Sequence, residues 1–300
     1  MRASSAFALA LLRSDGIGRV TAQRLLAHFP TYEALRATPR EQVLLRIKGA
    51  PNATTLVGYL FDHGGLGTAL AEAEDELERL AAQRVEVLTP HDACWPAGLA
   101  DLDQSDRPVV LYAYGHTEAL AQPSVALFAR PPLPGPAFET AQDLVRKLTA
   151  HGVVVMSGAE SGFDVVVHKL CAAAGHPSVL VANAGMGRIA KPIRPIVSAA
   201  IRAGGALLSP FPMAHGRYGH DDAERALVMA AAARASAFFA VPPDSYEARA
   251  LTWATEHDRP VFGVEGETAL PPRVHALNRP LDLDWVVAAA SPENPSPPDA

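Results

Sequence analysis

The chain has 300 residues, 49% of them hydrophobic and 19% charged, with a formal net charge of -6. No run approaches the roughly 18 uninterrupted apolar residues of a membrane span, the N-terminus lacks a signal-peptide pattern, and Cys94 and Cys171 have no ligand or disulfide spacing. A helical membrane protein, a disulfide scaffold and a zinc site are thereby excluded, and a cytoplasmic protein with one α/β domain and a smaller companion is expected, since domains commonly run about 100–200 residues.

In chain order, residues 1–65 read as a helical domain. Gly16-Ile17-Gly18 precedes RVTAQRLLAHF, and a hydrophobic residue between two glycines at a helix start is the pattern of a helix-hairpin-helix. YEALRATPREQVLLRI reads as a second helix, ending at Lys48-Gly49 before Pro51. Residues 66–122 follow as an acidic helix, AEAEDELERLAAQ, a strand at Val85 to Leu88, and a connector containing Trp95-Pro96.

From residue 123 to 290 short apolar runs alternate with helical patterns. Runs this apolar need cover on both faces, so the alternation predicts a doubly wound, mostly parallel Rossmann-like sheet with helices on either side. Beyond Gly266 the pattern decays, and residues 291–300 read as a Pro-rich disordered tail. The alanine-rich helix around Ala226 to Ala235 and the adjoining strand Ala237 to Val241 suggest a small-residue surface for a homodimer.

Charge is segregated along the chain. Residues 1–60 hold 8 Lys or Arg against 3 Asp or Glu, and residues 123–220 hold 9 against 4, whereas the blocks between and after them are acidic. Two basic blocks suit an anionic partner.

Ligands of such sheets collect at the carboxyl ends of the strands. There the turn Ser157-Gly158-Ala159-Glu160-Ser161-Gly162 offers glycines for close backbone approach, hydroxyls, and the amides of the next helix, a candidate phosphate cradle. The alternative is a tight turn in which Asp164 serves only as the cap of that helix; His168, four residues on, is a candidate to pair with Asp164 and orient the loop, and Glu160 opposes a dianionic phosphate there. Arg130 ends the preceding strand, and Arg188, Lys191 and Arg194 crowd the next loop. No nucleophile elbow, P-loop or metal-binding motif is present, so no catalytic residue, cofactor or metal is expected.

These residues resemble the DNA-processing protein A (DprA/Smf) family over almost the whole chain. The resemblance rests on Trp95-Pro96-Ala97-Gly98-Leu99, Pro108 to Gly115, Ser157 to Asp164 with His168, and Gly204 to Ser209. It departs at Phe128, Ser161 and Pro210, where the family has glycine, arginine and glutamate, and at Tyr218 to Asp222, which lacks the family's paired arginines. The resemblance implies single-stranded DNA binding, delivery of DNA to a RecA-like recombinase in transformation or recombination, and a homodimer, without the winged helix many members carry. A different reading is a nucleotide-sensing or nucleoside-phosphate-hydrolysing protein similar to the Lonely Guy group, whose ribose-phosphate loop is absent here.

Overall fold

The computed structural model describes residues 2–50, 52–62, 64–160, 162–266 and 269–291. Ser161 and the expected tail, apart from Ser291, lie outside the described residues. The chain divides into two compact units, residues through Trp95 with Asp103–Tyr112, and Pro96–Leu102 with the residues from Ala113 onward.

The first unit contains α1 (Arg2–Arg13), α2 (Arg19–His28), α3 (Tyr32–Arg36), α4 (Arg40–Arg46), α5 (Ala53–Phe61), α6 (Leu66–Ala82) and β1 (Val85–Leu88), and β2 (Leu111–Gly115) begins in it. The helix expected over 32–47 is two helices. Pro39 supplies no N–H to continue α3 and instead stands at the N-cap of α4.

The acidic helix, α6, is part of this unit. Its stripe of Leu66, Ala69, Ala73, Leu77 and Leu80 is buried, α1 packs against it, and Arg13 pairs with Glu76. The Ser4 and Ser5 hydroxyls, bonded to Thr89 Oγ1 and the Val87 carbonyl, tie α1 to the segment around β1. The boundary expected at residue 65 is therefore replaced by one near Trp95, and the second unit takes in Pro96–Leu102 and starts again at Ala113.

The second unit alternates β3 (Ser124–Ala129), α7 (Gly135–Ala150), β4 (Val154–Gly158), α8 (Phe163–Ala173), β5 (Ser178–Val181), α9 (Arg194–Arg202), β6 (Ala206–Ser209), α10 (Asp221–Ala232), β7 (Ala235–Phe239), α11 (Tyr246–Glu256) and β8 (Val261–Val264). The short β9 (His275–Ala276) and α12 (Asp282–Ala290) complete it. The strands lie in the order β6-β5-β4-β3-β7-β8-β9, all parallel. Chain direction across the sheet reverses between β3 and β7, the switch point where doubly wound sheets open a crevice.

Successive strand residues face opposite layers. Val125, Leu127, Val155, Ala237 and Phe239 pack with α7, α8 and α12, while Phe128 and Phe238 face the other way and stack at 4.5 Å, with 6° between their planes. α12 was not legible in the decaying pattern; its Leu283, Val286 and Ala290 join the core. The Asp282 carboxylate accepts from the Asn278 and Arg279 amides and so fixes the turn that starts it.

The expected dimer surface is absent from where it was placed. Ala226 through Ala231 are buried, α10 packs on α11 and the turn at Ala97–Asp101, and β7 lies between β3 and β8 rather than at an edge. Among the described residues no helix is long and apolar enough to cross a membrane.

Because Phe238 is buried and stacked, Phe238→Ala should lower the unfolding free energy by about 3–5 kcal/mol in urea titration. Replacing Arg273, whose pair with Asp258 is solvent-exposed, should change it by less than about 1 kcal/mol. Equal effects of the two substitutions would contradict this packing.

Candidate functional site at the carboxyl edge of the sheet

β3, β4 and β5 are neighbours, so their carboxyl-end loops lie side by side. They carry Arg130, the Ser157–Gly162 turn and the segment 182–194, respectively.

The turn after β4 is occupied by the chain's own anion. Asp164, in the first turn of α8, accepts from Ser157 Oγ at 2.6 Å and the Gly158 amide at 3.1 Å through Oδ1, and from the Glu160 amide at 3.3 Å through Oδ2. These amides belong to the end of β4 and its turn and not to α8, whose N-cap is Gly162 rather than Asp164, so the carboxylate takes up the hydroxyl and backbone donors that the turn would otherwise offer a phosphate. Gly158 leaves no room for a side chain, since a Cβ would run into the Arg225 guanidinium and the Asp164 carboxylate. Gly162 takes φ +78°, which favours glycine, to turn the chain into α8.

His168 steadies this turn, although not through the expected bond to Asp164. Its Nε2 donates to the Gly158 carbonyl at 3.0 Å, leaving Nδ1 to accept from Ser178 Oγ at 3.0 Å. Burial pushes its pKa below the ordinary value, against the pull of the Asp164 charge, so the ring is neutral near pH 7. Cys171, one turn further along α8, is a buried thiol pushed up to about 12, chiefly by desolvation.

Arg225 of α10 sits among four carboxylates. Its guanidinium lies 3.4 Å from Glu160, 3.8 Å from Asp164, 3.8 Å from Glu247 and 4.0 Å from Asp222. Arg217 closes the group with contacts of 2.6 Å to Glu160 and 2.9 Å to Asp222. Burial would raise the Asp222 pKa, but hydrogen bonds from Asn183 and Arg217 and the nearby Arg225 charge outweigh it and hold the carboxyl below its usual range. The sequence reading did not select Arg225. The usable signal is an arginine at helical spacing with Asp222 and the apolar Ala226 and Met229, on a helix rich in alanine, a position that demands charged partners.

Two clefts flank this cluster. One, of about 280 Å³, opens at the switch point with Arg130, Gly158, Asp164, Arg225 and Glu247 on its walls, and its excess of carboxylates makes it a poor host for phosphate. The other, of about 520 Å³, has a floor of Ala184, Ile189, Ala190, Pro192 and Ile193, with Arg188 at its rim. Glu160 and Arg217 wall both.

The four cations singled out in the sequence do not line one cleft. Arg130 borders the first cleft and Arg188 the second, whereas Lys191 and Arg194 line neither and stand exposed on the same segment as Arg188. Arg188 and Arg194 donate through Nε to the Ala214 and Ile189 carbonyls. Among the described residues no carboxylate lies within ion-pair distance of these four. In the first unit, Gly16 takes φ +80°, Ile17 is buried, and Gly18 is the N-cap of α2.

Two outcomes follow from this geometry. Asp164→Ala strips the partner from three donors and should cost about 2 kcal/mol or more in chemical denaturation, whereas Arg130→Ala should stay within about 0.5 kcal/mol. For His168 the folded pKa lies below the unfolded value of about 6.5, so its stabilisation is complete above that pH and lost as pH falls. Unfolding free energy should then decline by up to about 1.4 kcal/mol per pH unit below pH ~6.5, and His168→Gln should remove that slope. An unchanged slope in the variant would exclude the imidazole as its source.

Comparison with known proteins agrees with this architecture. The family model for DNA recombination-mediator protein A matches residues 86–276. The Protein Smf of Synechocystis is 24% identical over 273 residues, which cover 86% of this chain and 64% of the relative, so the chain spans a little under two thirds of that protein's length. The X-ray structure of DNA processing protein A from Streptococcus pneumoniae shares the fold at a TM-score of 0.66 and 15% identity, covering 92% of this chain and 95% of its own. DNA processing protein A from Helicobacter pylori, described with a single-stranded DNA binding mode, shares the fold at 0.58 and 16% identity, covering 68% and 96%. With the matched segment exceeding half its length, the chain belongs to the DNA recombination-mediator protein A family.

Proposed function

We propose that the protein binds single-stranded DNA along the segment Arg188–Arg194 and passes it to a RecA-like recombinase. The carrying observation is that Arg188, Lys191 and Arg194 are exposed, without carboxylate partners, beside a cleft with an apolar floor. Cations left uncompensated at a surface suit a phosphate backbone, and an apolar floor suits bases that no second strand covers. Family membership and the binding mode described for the Helicobacter pylori relative support the same reading.

Arg130, on the same edge of the sheet, is a further phosphate contact in this proposal, and the Gly16-Ile17-Gly18 hairpin is another, through backbone amides. Self-association belongs to the same reading and would use a surface other than the buried α10. The protein acts by binding rather than catalysis, because the acids at the sheet edge are engaged by Arg217 and Arg225. A mononucleotide sensor is disfavoured, since Asp164 already fills the loop amides that would receive its phosphate.

Replacing Arg188, Lys191 and Arg194 together with alanine should flatten the dependence of log affinity on log salt for single strands by about 2, roughly 0.7 per lost contact. Sequence preference should not change, because phosphate contacts position a strand without specifying it. A wild-type protein that ignores oligonucleotides at low salt, or a triple variant with the parental slope, would reject the proposal. Tight mononucleotide binding with a shallow slope would favour the sensor instead.

A further inference from the structure

Residues 210–220, between β6 and α10, carry a run of rings from the core to solvent. Phe211 is buried and stacks on His215 at 4.6 Å with 7° between planes. His215 meets Tyr218 edge-on at 5.1 Å, and Tyr218 lies nearly parallel to His220 at 6.2 Å and 10°. The two outer rings are open to solvent, Tyr218 being 56% exposed.

These exposed rings are held in place. The fully buried Asp221 accepts from the Tyr218 amide at 2.7 Å, lies 3.0 Å from His215 Nε2, and is 3.2 Å from His220 Nε2. The same segment is bonded to the basic loop, with the Gly185 amide donating to the His215 carbonyl, the Gly187 amide to the Met213 carbonyl, and Arg188 Nε to the Ala214 carbonyl. An exposed aromatic edge, its backbone tied to the basic loop, thus adjoins cations that have no carboxylate partner.

Resting on the single-strand reading above, we propose that Tyr218 and His220 form a stacking platform for bases, while the phosphates of the same strand lie on Arg188, Lys191 and Arg194. Unpaired bases present flat faces that stack on aromatic side chains, and the backbone supplies the charge that the cations lack. A duplex conceals those faces and offers only the charge.

The test is an anisotropy titration of the full chain with labelled oligothymidylate and with an abasic strand of equal length, which keeps the phosphates and removes the bases. The wild type should bind the thymidine strand roughly tenfold more tightly than the abasic one. Tyr218→Ala combined with His220→Ala should abolish that difference while the salt slope persists, and Tyr218→Phe should retain it. As a second readout, 2-aminopurine within the strand should be quenched by the wild type and not by the double variant. Equal affinity of the wild type for both strands, or a double variant that keeps the preference, overturns the platform and leaves the phosphate reading standing. Failure to bind either strand overturns both.

Discussion

The Asp164 carboxylate, carried on the first turn of α8, meets the turn after β4 and the Arg225 guanidinium of α10. Three elements that approach the carboxyl edge of the sheet from different directions are thereby referred to one charged group. The carboxylate satisfies the Gly158 and Glu160 amides, which lie at the end of β4 and in the turn after it, outside any helix. The neutral His168 completes the arrangement from beneath by donating to Gly158. Loss of the carboxylate would leave three donors without a partner and remove one of the four acids around Arg225, so its importance exceeds that of any single hydrogen bond it makes.

Arg225 explains why the edge is polar where a purely packed sheet would be apolar. Bringing a guanidinium into a position this buried carries a desolvation cost that only close opposite charge offsets. Glu160, Asp164, Asp222 and Glu247 come from the turn after β4, α8, α10 and α11 to provide it, and Arg217 takes up the excess negative charge of Glu160 and Asp222. The cluster fixes where the loops sit and leaves the outward cations of the neighbouring segment available. Structural charge and surface charge therefore occupy adjacent but separate places.

Much of the second unit was legible in the sequence because its signal is local. Each run such as SVALFA or SVLVA is too apolar for anything but a covered strand, and the helical stretches between them fix the parallel sheet. What lay hidden depends on which groups meet across the fold. Gly158, Glu160 and Asp164 were visible in one turn, yet spacing does not tell whether an acid points away from the amides or fills them. Arg225 gains meaning only when α8, α10 and α11 converge, and the alanines of α10 read as a surface because part of their cover, the Ala97–Asp101 turn, is distant in the chain. In the first unit the break at Pro39 was locally encoded, but helical periodicity on both sides of it outweighed the proline.

Gly158 carries a consequence for how this chain can vary. The space a side chain would fill there is taken by the ends of Arg225 and Asp164, so a larger residue enters only if one of those two becomes smaller or leaves the bonds and ion pairs that hold it. A smaller residue at 225 strands the carboxylates gathered around it, and a smaller one at 164 releases the turn amides. Each position thus restricts the substitutions the other two can accept. In an evolving lineage the trio would be inherited as a unit or exchanged as one, and a change at any member would mark descendants in which the whole edge had been rebuilt.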